Sequence, residues 1–150
     1  MRYMIGTMLV LFLLSTRVFA GSGLVNVKST YDVKLTADRF EAGFRNEGMI
    51  LFCRIDHAAN AAKVGEKIRP MDLLIFGNPA VGTKLIECSQ TIGIDLPLKA
   101  LIWEDEKGVV WVSYNEPKYL ANRHSITGCN EVLKKIEAIL DALARSASGS

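Results

Sequence analysis

DLPLKALIWEDEKGVVWVSY, residues 95–114, reads as two strands and the turn between them. Asp95 to Glu104 and Val109 to Tyr114 are rich in aliphatic and aromatic residues that favour extended backbone. Asp105-Glu106-Lys107-Gly108 joins them with four residues, including the glycine that a hairpin connection favours. An antiparallel hairpin is therefore expected, and with it a sheet at the centre of the domain. Pro97 lacks an amide donor and suits the entry or edge of a strand. Lys99 alternates with Leu101 and Trp103, which puts a cation on an apolar face. Such a lysine either reaches water or meets a buried acid, and so is a pocket candidate.

Working outward, Met71 to Phe76 forms a second strand of little polar content, ended by Gly77-Asn78-Pro79. Pro79 suits the first turn of a short helix reaching Ser89. Met49 to Ile55 reads as a strand apolar on both sides, with Met49, Leu51, Cys53 and Ile55 on one face and Ile50, Phe52 and Arg54 on the other. Asp56 caps an Ala-rich turn, Ala58 to Ala62, that Gly65 closes. Leu24, Val25 and Val27 open a short strand, and a helix starts near Asp32. Its apolar stripe is Val33, Ala37, Phe40 and Phe44, with Gly43 a mild weakness and Gly48 suited to its end. A last helix carries Val132, Leu133, Ile136, Ile139, Leu140 and Leu143 on one side and Lys134, Lys135, Glu137 and Asp141 on the other.

This order predicts an α+β fold: a two-layer sandwich of a mixed sheet of about five strands, two long helices and one or two short ones. Residues 21–150 form one domain, with the tail Ser146 to Ser150 expected to be disordered. Two long helices are too few to cover a sheet that is apolar above and below. The uncovered face predicts association, and a homodimer is expected.

Residues 1 to 20 carry the marks of a cleaved signal peptide: Arg2, an apolar run from Met8 to Leu14, and Val18 and Ala20 before the cut. The run is interrupted by Ser15, Thr16 and Arg17, short of the ~20 residues a bilayer span needs. Cleavage near Ala20 implies a periplasmic or secreted protein, with no membrane attachment afterwards and with conditions that oxidise thiols. Of 18 Lys plus Arg and 16 Asp plus Glu, Arg2 and Arg17 leave with the peptide, so 16 stand against 16. Without a basic field, neither nucleic acid nor an anionic membrane surface is an expected partner.

Gly77 to Lys84 has the outline of a phosphate loop, but Thr83 precedes Lys84 where the loop needs the reverse order, and Pro79 deletes an amide. The start of the following helix retains only a general capacity to hold a small anion. His57, at a strand end beside Asp56, has two readings: a ligand or base, or a plug of the strand end. His124 can meet it only through the fold, and no His-x3-His or Cys-x2-Cys spacing supports a metal site. Cys53 reads as core. Cys88 and Cys129 are the most accessible pair for a disulfide, which would stabilise the fold by roughly 3 to 4 kcal/mol. The alternative makes Cys129 or Cys88 a nucleophile of lowered pKa. No Gly-x-Ser-x-Gly elbow supports serine catalysis.

Taken together, Ile55-Asp56-His57-Ala58, Phe76-Gly77-Asn78-Pro79, Asp95-Leu96-Pro97-Leu98-Lys99, Trp103-Glu104-Asp105 and Trp111 to Pro117 resemble the bacterial and archaeal family called domain of unknown function 302. The resemblance spans about residues 24 to 145, including Ser29-Thr30-Tyr31 and Tyr119 to His124. It implies a compact α+β fold, usually dimeric, and no established activity. It also implies that Asp56, His57, Gly77, Asn78, Pro79, Asp95, Leu96, Pro97 and Asn115, gathered at strand ends, share one pocket. The thiol at Cys88 departs from the family pattern. The expected function is a small-ligand or metal-binding module using Asp56, His57, Asn78, Asp95, Lys99 and His124. An exported thiol- or histidine-dependent enzyme and a purely structural partner are the alternatives. Which cofactor or metal, if any, the protein uses is unknown from the sequence.

Overall fold

The computed structural model describes residues 23–150; the signal-like segment lies outside the described residues. In chain order the elements are β1 (Leu24–Ser29), α1 (Val33–Asn46), β2 (Ile50–Asp56), α2 (His57–Lys63), β3 (Met71–Gly77) and α3 (Pro79–Cys88). A 3-10 turn, Gln90–Ile94, follows, then β4 (Leu98–Glu104), β5 (Val110–Asn115), α4 (Pro117–Arg123) and α5 (Asn130–Ser148).

The strands form one sheet in the order β1-β5-β4-β3-β2. It is antiparallel throughout, not mixed as expected. A parallel neighbour needs a connection that carries the chain back along the sheet. Here α2 and α3 instead turn the chain at the sheet's ends. The β4–β5 hairpin forms where the sequence places it, with Asp105 Oδ1 accepting the Lys107 and Val109 amides and Oδ2 accepting Trp111 Nε1–H.

Helices α1 and α5 lie together on one face of the sheet, over Leu74, Phe76, Ala100, Ile102, Val112 and Tyr114. Asp32 caps α1, its carboxylate accepting the Leu35 amide at 2.7 Å, and Gly48 beyond the other end takes φ 72°. Phe40, Phe44 and Phe76 are fully buried and pack ring on ring, with centroids 5.3 and 4.7 Å from Phe76. Such pairs contribute ~0.5–1.5 kcal/mol each beyond their buried area. Gly43 has a packing role: a Cβ there would stand 2.9 Å from Leu143 Cδ2, so its bare backbone lets α1 approach α5.

Two expectations change. Strand β2 is an edge strand, with Ile50 and Phe52 about half exposed and Cys53 a free, exposed thiol outside the core. A bulge between Leu51 and Cys53 also resets its alternation. Leu51 and Arg54 register with Phe76 and Leu74 on the helix side, while Cys53 and Ile55 register with Ile75 and Leu73 on the open side. The tail, expected to be disordered, is the last turn of α5. Ser148 is buried, its carbonyl accepts the Thr30 amide and hydroxyl, and Arg39 donates to the carbonyls of Ser146 and Ala147. These bonds replace water at the helix end and so order a polar segment.

Arg54 crosses from the edge strand to α1. Its Nε and Nη2 donate to Asp72 Oδ2 at 2.8 and 2.5 Å, and Nη1 donates to Asp38 at 2.6 Å. Burial works against its charge, but the bonds to Asp38 and Asp72 outweigh burial and raise its pKa. Asp72 is buried and gains its counterion here.

Candidate functional site

At the end of the sheet where β2 and β4 begin and β3 finishes, the elements leave a cavity of about 480 Å³. Its walls are α3 (Val81, Leu85, Ile86), α5 (Ile136, Ile139, Leu140), and Met49, Leu96 and Leu98 from the strand ends, with Phe52 also in the lining. Asn78 lines it as well, but its side-chain oxygen accepts the Ala80 amide at 2.9 Å and so caps α3. The Val81 and Gly82 amides go to the Asn78 carbonyl, and Pro79 has none, so the first turn of α3 has no amide left for an anion. Thr83 is engaged too, its hydroxyl donating to the Pro79 carbonyl. The lining is thus mainly apolar, with Glu47 and Lys135 its charged members, and its volume is in the size range of small-molecule sites.

Behind the cavity, Asp95 and His124 meet. His124 Nε2 lies 2.5 Å from Asp95 Oδ2 and its Nδ1 lies 3.0 Å from Thr91 Oγ1; the ring is buried. An ionised carboxylate only accepts, so Nε2 carries the proton, and in the neutral ring Nδ1 accepts from the Thr91 hydroxyl. Ser89 Oγ donates to the His124 carbonyl at 2.9 Å, and Arg123 stands 3.6 Å from Asp95. These contacts pin the end of α4 to the turn between α3 and β4. Lys99 is half-buried and meets no acid: its Nζ donates to the Asp95 and Pro97 carbonyls, each at 2.9 Å.

Asp56 and His57 stand apart, at the opposite end of the sheet. Strand β2 ends at Asp56 opposite Asp72, whereas Asn78 follows the far end of β3; seven residues of β3 separate the two ends by ~20 Å. Asp56 caps α2, accepting the Ala59 amide at 2.7 Å. The fold therefore does not bring His57 and His124 together, and the strand-end residues do not form one pocket. Among the described residues no cluster of three His, Cys, Asp or Glu groups is placed to hold a metal.

Cys88 and Cys129 form a disulfide, with Cα atoms 6.4 Å apart. Cys88 ends α3 and Cys129 precedes the first turn of α5, so the bond joins the two helical walls of the cavity. The open face of the sheet keeps Met71, Leu73, Ile75, Leu101, Trp103 and Trp111 only half buried. A second depression of about 340 Å³ lies on this face, where Lys99 and Trp103 meet Leu73 and Ser113.

Reading the sequence missed the cavity and the Asp95–His124–Thr91 contact. The cavity residues have the ordinary signature of core, because a helix stripe that packs on protein and one that lines a space share a periodicity. The histidine contact joins residues 29 apart in a chain with no spacing motif.

The family model described as "Domain of unknown function DUF302" matches residues 25–143. Over 114 residues, 76% of this chain, the sequence is 46% identical to a Brucella suis protein named fluoride-specific ion channel FluC 1, covering 45% of that protein. The same identity is found to fluoride-specific ion channel FluC 2 of Brucella melitensis, 42% of which is covered. The chain thus spans less than half the length of these curated relatives. The fold is similar to the crystal structure of an uncharacterized conserved protein DUF302 from Bacillus stearothermophilus, with a TM-score of 0.76 and 19% identity, covering 85% of this chain and 99% of that one.

Proposed function

The chain belongs to the DUF302 family, and on that premise we propose that it is an exported, non-catalytic module that binds a small apolar ligand between α3 and α5. One observation carries this reading: a cavity of about 480 Å³ whose two polar side chains nearest α3, Asn78 and Thr83, already have partners within the fold. An apolar guest would gain by leaving water, and the lining would lose no hydrogen bond to it. The disulfide supports an oxidising compartment. No helix among the described residues is long and apolar enough to cross a membrane.

The test is binding of N-phenyl-1-naphthylamine, a neutral apolar probe, followed by fluorescence. A Cβ on Gly82 would make only an ordinary 3.8 Å contact with Leu96, so a side chain can start there unhindered, and Gly82→Leu is the variant that puts bulk into the space. Saturable binding by the parent and loss in this variant at unchanged Tm is the expected result. Equal binding by both proteins would overturn the reading.

The half-buried apolar residues of the open face support pairing of two copies through the sheet. A second reading rests on the relatives. The matched part is under half of proteins named as fluoride-specific ion channels, and no helix among this chain's described residues is long and apolar enough to cross a membrane. On that reading, this chain is a module of the kind that those relatives carry, acting together with a channel. Its test is co-purification with a channel of that class after crosslinking.

A further inference from the structure

The cavity described above has two charged side chains in its lining, Lys135 from α5 and Glu47 from the end of α1, both exposed. Other charges on the same helices pair, Lys134 with Glu131, Arg145 with Asp141 and Arg45 with Glu41, whereas Glu137 of α5 has no ion pair among the described residues and does not line the cavity. Lys135 and Glu47 have no ion-pair partner among the described residues and do not pair with each other. The site therefore presents an apolar interior with one cation and one anion at its border. An apolar guest ending in a single charge would satisfy one of these and oppose the other; a head bearing both signs satisfies both.

We propose that the cavity takes a single-chain amphiphile with a zwitterionic head, its chain between α3 and α5 and its head between Lys135 and Glu47. The proposal rests on the cavity reading above. One chain fits better than two, because 480 Å³ lies near the small end of the range for ligand pockets. The apolar chain supplies affinity, since exposed charges contribute little each, and the charges supply the choice of head.

Displacement of N-phenyl-1-naphthylamine by four dodecyl compounds below their micelle concentrations tests this: dodecylphosphocholine, laurate, dodecyltrimethylammonium and dodecanol. Dodecylphosphocholine is expected to bind best, by about 2- to 5-fold over the singly charged chains, with the margin shrinking in high salt. Lys135→Glu should move the preference to the cationic chain and Glu47→Lys to the anionic one. Equal displacement by all four, or reversals that change nothing, would overturn the zwitterionic head while leaving the cavity reading intact. Failure of the probe itself to bind would remove both. Uptake of lysophosphatidylcholine from phosphatidylcholine vesicles would support the proposal with a membrane as source, and uptake only of the free compound would support it with a dissolved source.

Discussion

Cys88 and Cys129 tie the end of α3 to the beginning of α5 across 41 residues of chain, at the place where the two helical walls of the cavity meet. Leu85 is the buried residue of α3, so the bond is a large share of what holds that wall. Cys88→Ser should lower stability by about 3 to 4 kcal/mol in urea unfolding and weaken probe binding in the folded protein. A stable variant with unchanged probe affinity would separate the bond from the cavity.

His124 has both ring nitrogens engaged in a buried position, so its removal leaves Asp95 without its closest partner. His124→Ala should cost about 1 to 3 kcal/mol. Thr91→Val, at an exposed position, should cost less than about 1.5 kcal/mol. Guanidinium melts of the two variants check the ranking.

Arg54 is the cation that balances buried Asp72. Arg54→Met alone should destabilise by roughly 1 to 3 kcal/mol, less than for a fully buried pair because Arg54 is partly exposed. Adding Asp72→Asn should recover much of that loss. A double-mutant cycle in urea measures the coupling, and additive effects would count against it.

Asp38 is held below its ordinary pKa by hydrogen bonds from Lys34 and Arg54, and Asp105 by the Trp111 indole and then the Val109 amide. Each carboxyl is more acidic folded than unfolded. The stability they contribute is therefore full above the ordinary carboxylate value, about 3.9, and is lost as pH falls through the lower folded values. Unfolding midpoints should drop on acidification through that window, and Asp38→Asn should flatten the drop. An unchanged acid profile in that variant would remove Asp38 from the account.

Leu73 and Trp103 lie on the open face, away from both long helices. If two copies pair there, Leu73→Glu should yield a folded monomer in sedimentation velocity where the parent sediments as a dimer. A parent that sediments as a monomer at high concentration would rule out the pairing.

Much of the fold was legible in local pattern. The caps at Asp32 and Asp56, Pro79 in the first turn of α3, the apolar stripe of α1 and the Asp105–Gly108 turn each depend on residues a few positions apart, and each forms as read. Cys88 with Cys129 was also legible, because composition left few pairs to choose from. Lys99 was correctly singled out as unusual, yet its partners are carbonyls of its own turn, which a sequence does not mark.

The sequence by itself determined the five strands, the two long helices and their amphipathic sides, because those follow from hydrogen bonding and side-chain spacing over one or two turns, though it did not reveal the short helix α4. Only the tertiary structure decided that β2 lies at an edge, that a bulge at Phe52 turns Cys53 to the open face, and that Asp56 and Asn78 end at opposite ends of the sheet. The packing of α3 and α5 likewise left a space where the same leucines and isoleucines could have closed one. Strand order and helix placement follow from long-range packing, in which many distant contacts compete, and no short stretch of chain carries that outcome.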